Sequence, residues 1–159
     1  MLCWMALIFW FSLQSGAQSY AQSHKVLEIV ERILNKLGIK FNQALFDIFA
    51  PFCKEKVTSE IFIRKLAHFT EYFIFGIICT ASIIHWHKRK FLRFVPAALG
   101  VSTAAIDEMV IQQFLVSERT AAITDVLLDS IGFYAALIII FVVSFAVIIF
   151  KLFRRRMLT

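Results

Sequence analysis

Glycine and proline are scarce in this chain, with 5 and 2 among 159 residues. No glycine-rich loop is present to cradle a phosphate, and no glycine-flanked serine marks a nucleophile elbow. Cysteine is also sparse: Cys3, Cys53 and Cys79 are odd in number, and no pair has metal-ligand or redox-motif spacing. His-x-x-x-His and Asp-x-Asp patterns are missing as well, which argues against a bound metal, and nothing in the sequence calls for another cofactor. Charged residues make up only 18% of the chain. The cations include two acid-free blocks, Lys88, Arg89, Lys90 and Arg93, then Lys151, Arg154, Arg155 and Arg156. Because each block abuts an apolar run, it reads as a topology signal and not as a nucleic-acid surface.

What is abundant is apolar surface: 60% of residues are hydrophobic, 18 of them Phe, and the mean hydropathy is +0.76. Few soluble domains of this size can bury so much, so the pattern predicts an all-α membrane bundle of about four transmembrane helices in a single domain. The expected spans are residues 2–14, 61–86, 94–115 and 123–150. The first is short for a ~30 Å hydrocarbon core, and a signal peptide with cleavage near Ala17 or Ala21 competes with it, weakened by the missing basic leader.

Between the first two spans lies an amphipathic insert, residues 24–52. Val26, Val30, Ile33 and Leu37 recur at helical spacing while Glu28, Glu31, Arg32 and Lys36 fill the other faces, with Gly38 as a plausible stop. It reads either as an interfacial helical pair on the bilayer or as a small soluble cap on the bundle. This count puts both acid-free basic blocks on one side, which the positive-inside rule makes cytoplasmic, so residues 87–93 and the C-terminus face the cytoplasm. The segment Ser15–Glu60 then lies outside despite six Lys and Arg, as long loops obey the rule weakly.

Ionisable residues inside a span are costly, about 2.5 to 3.5 kcal/mol each at the helix centre by insertion scales. His68, Glu71, Asp107, Glu108, Asp125 and Asp129 all fall toward the non-cytoplasmic ends of their spans. At 100° per residue, Lys65, His68 and Tyr72 point one way, as do Glu108 with Gln112, and Asp125 with Asp129 and Gly132. The stripes can meet in a polar cleft at the outer leaflet, with Gln112 and Arg119 above it. Any single pair, Arg119 with Asp125 or Lys65 with Glu71, also reads as a register-fixing ion pair. For the set, His68, Asp107, Glu108 and Asp125 are the acid–base candidates; Lys65, Tyr72, Gln112, Arg119 and Asp129 are the candidates for holding an anionic substrate. The spans' other halves look dry, Ile77–Ile84 and Ala135–Phe150 offering only Cys, Thr and Ser, which counts against a transport path.

At these positions the sequence resembles the VanZ-like family, bacterial membrane proteins named for a teicoplanin-resistance determinant. The matching pieces are Trp4 with Ile8-Phe9 and Ser12 to Gln14; Lys65-Leu66-Ala67-His68-Phe69 with Tyr72 and Gly76; Asp107-Glu108 with Gln112, Phe114 and Arg119; and Asp125 with Asp129 and Gly132. The resemblance implies a four-helix protein of the bacterial plasma membrane, linked in some members to lower glycopeptide susceptibility, with recurrent residues at Lys65, His68, Asp107, Glu108, Gln112, Arg119 and Asp125. Together with the cleft, this leads to the expectation of an envelope protein that modifies or binds a lipid-linked or anionic component at the outer leaflet, with membrane lipids and a lipid-linked envelope precursor or lipoglycopeptide as partners. A non-catalytic lipid- or ligand-binding protein is the alternative, and a proton-coupled transporter a more distant one. Ser117-Glu118 replaces the family's usual Pro-Gly before Arg119, and the insert from Lys25 to Pro51 is larger than a minimal member needs.

Overall fold

The computed structural model describes residues 1–38, 46–53, 56–85, 95–115 and 123–156. These residues are helical with short connections and contain no strand. Among the described residues five α-helices follow in order: α1 (Leu2–Ser12), α2 (Gly16–Lys36), α3 (Ser59–His85), α4 (Val95–Ile106) and α5 (Ile123–Arg156). A 3₁₀ turn, Ala50–Phe52, precedes α3, and α4 continues without a break into a π-helical segment, Asp107–Leu115.

The helix α5 has 34 residues and is about 50 Å long. It is long and apolar enough to cross a bilayer, and among the described helices it is the one that meets both conditions. The other expected spans form helices with different physical profiles. Helix α1 is apolar but only 11 residues long. Helix α3 has 27 residues, but its first half carries Glu60, Arg64, Lys65 and Glu71. The third apolar run changes winding at Asp107, so its α-helical part is 12 residues.

Ser15 starts α2 through a capping box, its hydroxyl accepting from Gln18 N while the Gln18 side chain accepts from Ser15 N. The amphipathic helix therefore begins at Gly16, ahead of the Lys25 start that its charge pattern suggests. It ends where expected, with Gly38 at φ +70°, a left-handed conformation that costs glycine little.

Helices α3 and α5 form the most extensive contact in the molecule, and two glycines allow it. A Cβ on Gly76 would stand 2.6 Å from the Phe133 carbonyl oxygen, and one on Gly132 would stand 2.5 Å from that of Phe69. The backbones approach too closely for any side chain at either point, as small residues permit between membrane helices. Phe133 then projects against Gly100 of α4, where a Cβ would fall 2.3 Å from its ring, and sits 5.4 Å from the Phe75 ring. Ile8, Tyr72, Phe75, Cys79, Ala104 and Phe133 make one buried cluster joining α1, α3, α4 and α5. A second cluster, with Leu27, Phe46, Phe49, Val57, Phe62 and Leu128, packs α2 and the segment after it onto the first turns of α3 and α5. One side of α2 is thus a packed cap, while Val26, Ile29, Ile33 and Leu37 form a second apolar stripe that stays exposed.

Candidate functional site: a sealed acidic cluster beside an open groove

Helix α3 supplies Lys65, His68 and Tyr72 on one face, and α5 answers with Asp125 and Asp129 one turn apart. Lys65 Nζ pairs with Asp125 Oδ1, and both side chains are largely buried. One turn deeper, His68 Nδ1 lies 3.8 Å from Asp129 Oδ1. Another turn on, the Tyr72 hydroxyl faces the Asp107 carboxylate of the π segment, with Asp129 close by. The pairs follow the α3–α5 crossing that Gly76 and Gly132 set, so the packing contact also fixes the spacing of the polar groups.

The third strut of the cluster is the π segment. Adjacent residues in an α-helix point 100° apart, which would turn Asp107 or Glu108 away from a common interior. Wider winding brings successive side chains closer in direction, and both are buried, at 0% and 1% exposure. Thr103, four residues before Asp107 and therefore on the same face, is buried too. The Asp129 carboxyl group has those of Asp107, Glu108 and Asp125 as neighbours, and neither of its oxygens accepts a hydrogen bond from a described residue. Four carboxylates thus share an interior with Lys65, His68 and Tyr72. No three described His, Cys, Asp or Glu side chains surround a common point at metal-ligand distances.

Asp107, Glu108 and Asp129 are closed off from solvent, and in this respect the site differs from an open cleft. The open space lies to the side. A groove of about 460 Å³ runs between α1, α2 and α3, bordered by Trp4, Phe11, Ser23, Arg64, His68 and Ile74 among others. His68 borders this groove and also faces Asp129, so it is the wall between the accessible space and the buried acids. Trp4 holds the groove's other side in place, its indole Nε1 donating to the Glu71 carbonyl oxygen at 3.0 Å.

Of the residues singled out from sequence, Lys65, His68, Tyr72, Asp107, Glu108, Asp125 and Asp129 come together in this interior. The Gln112 side chain and Arg119 lie outside the described residues. Sequence reasoning missed Thr103, a buried polar residue, and the groove, while Ser12, quoted for the resemblance but not as a site residue, is buried too. The i, i+4 relation of Thr103 to Asp107 was the signal for the first. The groove carries no such signal, because it arises from the way α1 and α2 fold back onto α3.

No curated protein matches this chain, and no solved structure does. The family model for VanZ/LLP1 matches residues 1–151. With nearly the whole length covered, the chain belongs to the VanZ/LLP1 family.

Proposed function

We propose that this protein works in the bacterial plasma membrane as a multi-pass envelope protein that binds or modifies an anionic, lipid-linked component at the outer leaflet and so alters glycopeptide susceptibility. Residues 87–93 and the C-terminus lie on the cytoplasmic side in this reading, and the polar interior lies near the opposite face. The observation that carries it is the position of His68, between a groove open to amphiphiles and a sealed set of carboxylates. An imidazole placed so can take a proton from a group in the groove and pass it toward Asp129, with Asp107 and Glu108 behind. Lys65 is held by Asp125 and serves to fix His68 in register, one turn away.

The closed state of the acids favours a second reading, a non-catalytic binding protein whose acids only orient His68 and the groove. The test is teicoplanin and vancomycin susceptibility in a Gram-positive host producing wild type or Asp107→Asn at equal membrane levels. A teicoplanin-selective shift that Asp107→Asn abolishes supports proton chemistry in the cluster. A shift retained by the variant supports binding alone, and no shift with the wild type removes the glycopeptide link.

A further inference from the structure

Along α3 the groove extends from Ile63 to Ile74, about 16 Å of helix, and its character changes over that distance. At the Ile63 end, near the first turn of α3, stand Arg64 and the hydroxyls of Ser19 and Ser23. A smaller cavity of about 200 Å³, shared by Arg64, Ser23, Tyr20 and Glu60, adjoins this end. Toward the Ile74 end stand Trp4, which donates to the Glu71 carbonyl, Leu7 one turn along α1, and Ile74, with Thr70 and Glu71 also on the border. Arg64 is exposed and makes no ion pair with any described residue, whereas the neighbouring Lys65 has its charge matched by Asp125. The rim is apolar as well: Val26 borders the groove and opens the exposed stripe that Ile29, Ile33 and Leu37 continue, at 46 to 66% exposure. On the helical wheel Lys25, Arg32 and Lys36 flank that stripe on one side, the arrangement by which an amphipathic helix lies on an anionic bilayer.

We propose that the groove seats one chain of an anionic phospholipid-like amphiphile taken sideways from the bilayer, its headgroup on Arg64 and its chain against Trp4, Leu7 and Ile74. This rests on the reading of the protein as a handler of an anionic lipid-linked component, and it names where that component sits. The polar end lies toward the aqueous start of α3 and the apolar end lies deeper, the order in which a lipid stands in its leaflet. A guanidinium forms paired hydrogen bonds with a phosphodiester, and volumes of this size suit a single chain with its headgroup. Seated so, the headgroup lies one helical turn from His68.

The experiment is native mass spectrometry of the purified full chain after equilibration with dioleoyl phosphatidylglycerol or dioleoyl phosphatidylcholine, for wild type, Arg64→Gln and Ala67→Trp. Arg64 and Ala67 are both exposed, so neither substitution disturbs packed core, and equal melting temperatures verify this. Wild type is expected to retain the anionic lipid about tenfold better than the zwitterionic one. Arg64→Gln should erase the preference, and Ala67→Trp, which fills the groove, should release both lipids. Equal retention of the two lipids by wild type, or undiminished retention by Ala67→Trp, overturns the proposal, as does displacement of the lipid by inorganic phosphate alone. Asp107→Asn is expected to bind lipid as wild type does. If Asp107→Asn abolishes the susceptibility shift while Ala67→Trp preserves it, the groove assignment fails and the acidic-cluster reading stands; the reverse result sinks the cluster and keeps the groove.

Discussion

The two halves of α5 are built on opposite principles. From Ile123 to Ala136 the helix carries Asp125, Asp129 and Gly132, buries Leu128, Phe133 and Ala136, and crosses α3 backbone to backbone. From Ile138 to Phe153 it carries Ile, Val and Phe on every side, and most are about half exposed or more. The first half is ordered by protein neighbours. The second is largely uncovered by the described residues and reads as a surface that lipid covers, where apolar residues need no partner of their own. Polarity therefore costs least where packing is densest: the ion pair of Lys65 with Asp125 and the buried acids sit where the helices touch, and the uncovered half carries no charge until Lys151.

Substitutions at the close crossing break this contrast most sharply. Gly132→Leu forces a side chain into the Phe69 carbonyl and should cost about 3 kcal/mol or more, seen as loss of the folded peak on size exclusion and a lowered melting temperature. Val142→Leu, on the uncovered half, should leave the melting temperature unchanged; an equal loss at both sites would end the distinction. Next comes the ion pair. Lys65→Met leaves Asp125 facing a largely buried position without its partner, and a loss of about 2 kcal/mol is expected, reduced from the fully buried case because Asp125 keeps some exposure. Adding Asp125→Leu should restore most of it in a double-mutant cycle, and a double variant no better than the single one would show that the pair is not what the position needs. The smallest effect is expected for Trp4→Phe, which keeps the ring and removes the bond to Glu71; about 1 kcal/mol should be lost, with hydrogen exchange rising in α1 ahead of α3.

The helices were readable from sequence because apolar runs are local. The runs at 2–14, 61–86, 94–115 and 123–150 coincide closely with helices Leu2–Ser12, Ser59–His85, Val95–Leu115 and Ile123–Arg156. Periodicity also placed Lys65, His68 and Tyr72 on one face and Asp125 with Asp129 on another, and these faces do meet. The early start of α2 escaped notice because its first turns are polar and small, and only the Ser15 and Gln18 pair announces them. The winding of Asp107–Leu115 was invisible for a different reason. Helical periodicity assumes a fixed turn, and nothing in the residue types says that the hydrogen bonds shift from i+4 to i+5 there. The choice between interfacial helix and packed cap for α2 could not be made from periodicity, since its apolar arc is wide enough to serve both; the structure packs one part of that arc and leaves the other exposed.

The π segment bears on how this chain tolerates insertions and deletions. A stretch wound with an extra residue per turn is a store of chain length. Met109 and Val110, each 49% exposed, point away from the acids, so losing one of them tightens the winding toward an ordinary α-helix without removing a packed side chain. Losing a residue from α4, before Asp107, would instead swing Asp107 and Glu108 around the axis by about 100° and empty the interior of both carboxylates. Length variation in this helix is therefore expected at 109–110, with the run from Gly100 to Glu108 held at constant length.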